Sequence, residues 1–299
     1  MPTSSGLLVC ASHVGGKRAV DALLRSGYEV SAAVCPSAAQ ARDWGISGYF
    51  DYREVFHQAG IDVYTPTSYS LTADSDVGFF AERRFSALVQ GGWQRLFPGH
   101  VLEALDRGAV GLHGSSDLLP KGRGRSPMNW TLIEGRKRFL LHLFLIGAGA
   151  DSGDVIDVKD FDVNEFDDIG TLYLKYSIVY RDLLMANLPA ILDGTARLRP
   201  QQGIPTHYSK RTPEMGVVDW EVMDVWEVHN FVRAQTRPYP GVVAEIEGQQ
   251  VRIWRAAPFD TRIRYDLAEY GSVVERDHLG LVVNCRGGLL LIQDWEACP

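Results

Sequence analysis

Residues 6–34, GLLVCASHVGGKRAVDALLRSGYEVSAAV, decide the fold. Residues 6–10 form a short apolar run of the kind that makes a buried strand. Residues 17–26 carry apolar side chains at helical spacing and are closed by Gly27. Residues 29–34 (EVSAAV) read as a second strand, so the chain opens with a βαβ unit. The alternation continues with strands expected at 61–64, 87–90 and 109–113 and helices around 77–84 and 100–107. Strands alternating with helices argue for an α/β fold, a mostly parallel sheet with helices on both faces.

In such a sheet, ligands gather beyond the carboxyl ends of the strands. The turn Gln90-Gly91-Gly92 and the residue His113 both fall at strand ends. A further strand, 138–146 (RFLLHLFLI), runs into the glycine-rich turn 147–151, and 155–163 reads as the returning strand. A long amphipathic helix over 169–192 closes a first domain, residues 1–192. The polar, proline-containing segment 193–205 reads as a linker. Residues 206–299 carry a helix near 220–234 and short strands at 242–246, 251–256, 271–275, 280–284 and 289–293, which predict a small β-barrel.

A hydrophobic fraction of 45% and a charged fraction of 22% belong to an ordinary globular protein and exclude disordered and fibrous classes. The net charge of -7 offers no global attraction for nucleic acid. The four cysteines are far apart, with no CxxC pair and no zinc-type spacing, so no metal is expected and the thiols read as reduced. The first residues lack a basic leader region, and no window approaches the roughly 18 apolar residues of a membrane span. A soluble, cytoplasmic protein with no membrane partner is expected.

The chemistry concentrates around Gly111-Leu112-His113-Gly114-Ser115, followed by Leu118-Leu119-Pro120 and Arg123-Gly124-Arg125-Ser126-Pro127. Histidine titrates near neutrality and can take and return a proton. A lone histidine at a strand end is commonly a structural residue, but a carboxylate partner is available at Asp151, in Asp151-Ser152-Gly153-Asp154. Asp154 reads as a turn cap and His142 as a satisfied, partly buried histidine. His13 is a weaker ligand candidate. Among the nearby cations, Arg123 and Arg125 are candidates for an anion site, and residues 136–138 read as a solvated face. Trp220, Trp226 and Trp254 read as packing residues.

Taken in order, these features resemble the 10-formyltetrahydrofolate-dependent formyltransferases, which include methionyl-tRNA and sugar N-formyltransferases. The matching motifs are the opening βαβ, Val89-Gln90-Gly91-Gly92 before Leu96-Phe97-Pro98, the His113 loop, and Pro127 entering a helix. Asp151-Ser152-Gly153-Asp154, Val218-Asp219-Trp220, Arg237-Pro238-Tyr239-Pro240-Gly241 and the strands from 242 to 254 complete the set. The resemblance implies a Rossmann-like catalytic domain followed by an OB-like barrel. It implies an enzyme in which His113 is the acid/base and Asp151 orients it from an adjacent strand-end loop. It also implies a folate site formed by Gln90, Gly91, Gly92, Trp93, Gly147, Gly149 and Ala150, with Ser115, Arg123 and Arg125 toward the acceptor.

One departure marks a divergent branch: Gly111 stands where most of the family carries the asparagine that polarises the formyl oxygen. Asn129, on the helix after Pro127, is the expected replacement amide. Residues 206–299 hold 10 lysines and arginines against 14 acidic residues, whereas a tRNA reader presents a basic surface. The expected acceptor is therefore the amine of a small molecule, an amino-sugar nucleotide. The alternatives are a methionyl-tRNA formyltransferase, a formyltetrahydrofolate hydrolase, or a folate-binding regulatory protein without the chemistry. Three roles stay open for the C-terminal domain: holding substrate, forming a homodimer, or persisting without either.

Overall fold

Strand β1 (Leu7–Ala11), helix α1 (Lys17–Arg25) and strand β2 (Val30–Val34) form the opening βαβ, with β1 and β2 parallel. The structure, a computed structural model, describes residues 6–147 and 149–298. Met1–Ser5, Ala148, Pro299 and the side chain of Pro213 lie outside the described residues. Helix α1 buries Ala19, Val20 and Leu23, the stripe its sequence period presents. Two short helices follow that the hydrophobic period did not disclose, α2 (Ala38–Asp43) and α3 (Arg53–Gln58). Helix α2 begins with a capping box in which Ser37 and Gln40 satisfy each other's backbone N–H groups.

The chain then forms β3 (Asp62–Tyr64), α4 (Asp74–Ala81), β4 (Leu88–Gly91), α5 (Gly99–Glu103) and β5 (Ala109–Ser115). It continues with α6 (Pro127–Ile133), β6 (Arg138–Ile146), β7 (Val155–Asp162) and α7 (Ile169–Asp193). The seven strands lie in the order β3-β2-β1-β4-β5-β6-β7. The pairings from β3 through β5 are parallel, and β6 runs antiparallel to β5, with Ala109 opposite Ile146 and His113 opposite His142. The sheet is covered on both faces, as a mostly parallel sheet requires. Leu7, Val9, Val89 and Leu141 pack with Leu183, Leu184 and Leu188 of α7 on one face. Leu8, Cys10, Leu88 and Ala109 pack with Phe79, Phe80 and Phe97 on the other.

The chain divides into two compact units. The first comprises residues 1–123, 140–161 and 174–206. The second comprises 124–139, 162–173 and 207–299, so it draws two segments from the stretch read as one N-terminal domain. Within the first unit, the segment read as a linker is tied to the edge of the sheet. Val155 and Arg199 exchange both backbone hydrogen bonds, each 2.9 Å.

The second unit contains helix α8 (Val225–Gln235), capped by Asp224 with Glu227 in a capping box. Its strands are β8 (Val242–Ile246), β9 (Gln249–Asp260), β10 (Val273–Asp277), β11 (Gly280–Cys285) and β12 (Gly288–Ala297). They form an antiparallel sheet in the order β8-β9-β12-β11-β10, a small barrel-like domain with Val228, Phe231, Ile253, Val283 and Leu290 in its core. Among the described residues no helix is long and apolar enough to cross a membrane.

Leu141 is fully buried against α7. Leu141→Ala is expected to lower unfolding stability by about 2–5 kcal/mol. In urea melts the midpoint falls and the denaturant dependence stays unchanged; a shift under 1 kcal/mol would contradict this packing.

Candidate active site

Alternation along β5 puts Gly111, His113 and Ser115 on one face of the sheet. His113 is 8% exposed, which leaves a small part of the ring open. Its Nε2 lies 2.8 Å from the Gly122 carbonyl oxygen and its Nδ1 lies 3.4 Å from Oδ2 of Asp151. A carbonyl only accepts, so Nε2 carries the hydrogen in the neutral ring, and Nδ1 presents its lone pair beside the carboxylate. A proton arriving at Nδ1 would meet a negative charge already in place.

His142, directly across the antiparallel pair, has a different role. Its Nδ1 donates to the His113 carbonyl (3.2 Å) and its Nε2 accepts from the Leu119 backbone N–H (3.3 Å). Both nitrogens are committed in one neutral tautomer, and burial lowers its pKa to about 4. The ring ties β5 to the loop that follows it. Ser115 closes the same loop by donating to the Lys121 carbonyl (2.9 Å) and accepting from Asp117 N–H (3.2 Å). The hydroxyl expected to face an acceptor is thus engaged within the loop.

Asp151 reaches His113 by a route the sequence did not suggest. Because β6 is antiparallel, its end lies level with the start of β5 and not beside the end that carries His113. The turn after Ile146 therefore comes back over the sheet face to deliver its carboxylate. Asp151 adopts a left-handed backbone conformation, φ 50°, which aspartate tolerates better than most residues. At Gly153 a Cβ would lie 1.6 Å from the Leu145 carbonyl oxygen, so no side chain fits there.

Gln201 holds this turn: its Nε2 donates to the carbonyls of both Asp151 and Gly153, each at 2.8 Å. Arg123 in turn donates to Gln201 Oε1 at 2.6 Å. Gln201 was read as part of a linker, and only its long-range bonds disclose its position here.

Asn129, the expected replacement amide, makes a bond of its own. It belongs to the second unit, is 3% exposed, and its Nδ2 donates to the Ala234 carbonyl at 2.7 Å. Arg125 also lies in the second unit, where its backbone N–H donates to Tyr208. His13 caps the turn after β1 by accepting from Gly15 N–H (2.9 Å), and burial lowers its pKa.

Two comparisons decide the family. A family model described as "Formyl transferase" matches residues 73–186, and one described as "Formyl transferase, C-terminal domain" matches 210–297. The chain belongs to the formyl transferase family. The fold agrees with that of solved structures at low identity. An N-formyltransferase from Helicobacter canadensis, in complex with folinic acid and dTDP-3-aminofucose, is 16% identical with a TM-score of 0.70, over 97% of this chain and 99% of that one. Methionyl-tRNA formyltransferase from Clostridium thermocellum is 15% identical with a TM-score of 0.60, over 98% and 99%. HypX from Aquifex aeolicus, in complex with tetrahydrofolic acid, is 16% identical with a TM-score of 0.65 over 98% of this chain. The chain spans 44% of the length of that HypX.

The glycines of the expected folate site divide into two kinds. At Gly91 a Cβ would lie 2.8 Å from the Ala11 side chain, and at Gly92 (φ +86°) 2.7 Å from His13. Those two serve the close packing of β4 on the end of β1. Gly149 is spaced from Ser152 alone, which donates to its carbonyl, and Ala150 lies in the same turn. Gly147 has open space where a side chain would be. Trp93 is 3% exposed, and its indole N–H is buried without an acceptor among the described residues. An open glycine and a buried donor fit a flat ligand rich in acceptors, as a pterin is.

Two outcomes follow. The folded His142 ring titrates near 4 and the unfolded ring near 6.5. Its contribution to stability is therefore complete above about pH 6.5 and declines as the pH falls toward 4. Between pH 7.5 and pH 5 the wild type should lose about 2 kcal/mol more than His142→Gln in urea unfolding; equal losses would show that His142 is not buried neutral. Gln201→Leu should leave folding intact and lower kcat roughly tenfold or more by loosening Asp151. Unchanged turnover would remove Gln201 from the positioning of Asp151.

Proposed function

We propose that this chain moves a formyl group from 10-formyltetrahydrofolate to the amine of a small molecule, an amino-sugar nucleotide. The observation that carries this reading is the His113–Asp151 pair, Nδ1 to Oδ2 at 3.4 Å, in a chain of the formyl transferase family. Three things support it further: the acidic balance of residues 206–299, the pterin-like demands of Trp93 and Gly147, and the folates present in structures of similar fold. Arg123 is the cation we assign to the phosphates of the acceptor; Arg125, the other expected cation, belongs to the second unit. Arg123 Nε is buried without an acceptor among the described residues, which leaves one donor for a ligand.

The co-substrate supplies an activated formyl group on nitrogen. His113 then takes the proton that the amine loses as its nitrogen bonds to the formyl carbon, and Asp151 balances the imidazolium so formed. As the bond between the formyl carbon and the folate nitrogen breaks, His113 returns that proton to the departing nitrogen. The products are a formamide and tetrahydrofolate. His142 remains neutral throughout and fixes the strand on which His113 sits.

The test is tetrahydrofolate release from 10-formyltetrahydrofolate with amino-sugar nucleotides, amino acids or methionyl-tRNA as acceptor. Release is expected with an amino-sugar nucleotide, and His113→Ala or Asp151→Asn should lower kcat by about 10²- to 10⁴-fold. Release without any acceptor would mark a hydrolase, release only with methionyl-tRNA the tRNA enzyme, and folate binding without release a binding protein. Each of these results overturns the reading.

A further inference from the structure

A neutral imidazole carries one ring hydrogen, and at His113 two acceptors compete for it. The Gly122 carbonyl oxygen lies 2.8 Å from Nε2, and Asp151 Oδ2 lies 3.4 Å from Nδ1. Only with the hydrogen on Nε2 can Nδ1 take a proton beside the carboxylate. A carboxylate is the stronger acceptor, so the hydrogen stays on Nε2 only while the Gly122 carbonyl is held against it. Whatever holds that carbonyl decides which nitrogen does the chemistry.

Thr206 holds it through three hydrogen bonds. Its Oγ1 accepts from the Gly122 N–H at 2.9 Å, its carbonyl accepts from the Arg123 N–H at 3.0 Å, and its own N–H donates to the Pro120 carbonyl at 3.3 Å. The peptide unit between Gly122 and Arg123 is trans and planar, so its C=O and N–H point in opposite directions. With that N–H fixed on the Thr206 carbonyl, the C=O is turned the other way, toward His113. The preceding N–H needs its own restraint, because Gly122 has a left-handed backbone, φ 73°, and glycine imposes little conformational preference of its own. The Thr206 hydroxyl supplies it, and Gly122 is buried. Ser115 takes the Lys121 carbonyl, so the three carbonyls from 120 to 122 each meet a donor.

We infer that Thr206 is a positioning residue: its hydroxyl bond to Gly122 keeps the ring hydrogen of His113 on Nε2 and leaves Nδ1 open beside Asp151. This role rests on the formyl-transfer reading, in which His113 takes the amine proton. Residue 206 was expected to begin the second domain, yet it belongs to the first unit together with Gln201. Gln201 holds the turn that carries Asp151. One short stretch, 201–206, thus steadies both members of the pair, the carboxylate through Gln201 and the imidazole through Thr206.

The experiment uses the full chain with nitrogen-15 histidine, as wild type, Thr206→Val, Thr206→Ser and His113→Gln. Valine keeps the shape of threonine without the hydroxyl, and serine restores the hydroxyl. Correlating ring nitrogens with carbon-bound ring hydrogens at mildly alkaline pH tells Nε2–H from Nδ1–H. The signal missing from His113→Gln is that of His113, and circular dichroism and thermal melting check that each variant folds. The spectrum is read without substrate, so it decides the role of Thr206 separately from turnover. A wild type that releases tetrahydrofolate with no acceptor of the panel overturns the formyl-transfer reading instead.

The wild-type hydrogen is expected on Nε2. In Thr206→Val the ratio of Nε2–H to Nδ1–H should fall about fivefold or more, because the released carbonyl no longer outcompetes Asp151. In turnover, Thr206→Val should lower kcat about 10- to 100-fold with KM for the folate changed little, and Thr206→Ser should stay within about threefold of wild type. A wild-type hydrogen on Nδ1, an unchanged ratio in Thr206→Val, or a Thr206→Ser protein that behaves like Thr206→Val would overturn the assignment.

Discussion

The antiparallel pairing of β6 on β5 is the constraint from which the site follows. Register places Ile146 opposite Ala109, and its side chain leans over position 111, where 2.7 Å leaves no room for a Cβ. The same pairing brings His142 opposite His113, where one neutral imidazole anchors both the strand and the loop beyond it. It also ends β6 at the wrong level of the sheet for a direct approach to His113. The turn that follows must double back, and it does so through a left-handed aspartate and a glycine that tolerates no side chain. Backbone held in that region costs on the order of 1–3 kcal/mol and persists only where neighbours fix it. Gln201, with hydrogen bonds to two carbonyls of the turn, is such a neighbour.

What the sequence disclosed and what it withheld divide along physical lines. The βαβ opening and the long helix were legible because burial against a sheet imposes a period on the residues themselves. The helix expected over 169–192 is Ile169–Asp193. Helices α2 and α3 were missed because each spans six residues, too few to establish a period, and α2 is specified by a capping box instead. The direction of β6 was withheld because RFLLHLFLI, apolar on both faces, reads alike in either orientation. His113 and Asp151 were legible as chemistry. Gln201 was not, because its bonds cross 48 and 50 positions and nothing local marks it.

The groups that hold the loop and the turn at His113 are neutral: the carboxamide of Gln201, the His142 ring and the backbone carbonyl of Gly122. Arg123, the cation nearest in the network, is bonded to Gln201 and acts on the turn through that amide. Asp151 is thus the carboxylate placed against the imidazole, at 3.4 Å. On the proposed reading, a single carboxylate stands beside the ring as it takes the proton of the amine, and the groups that hold the loop and the turn add no further charge there.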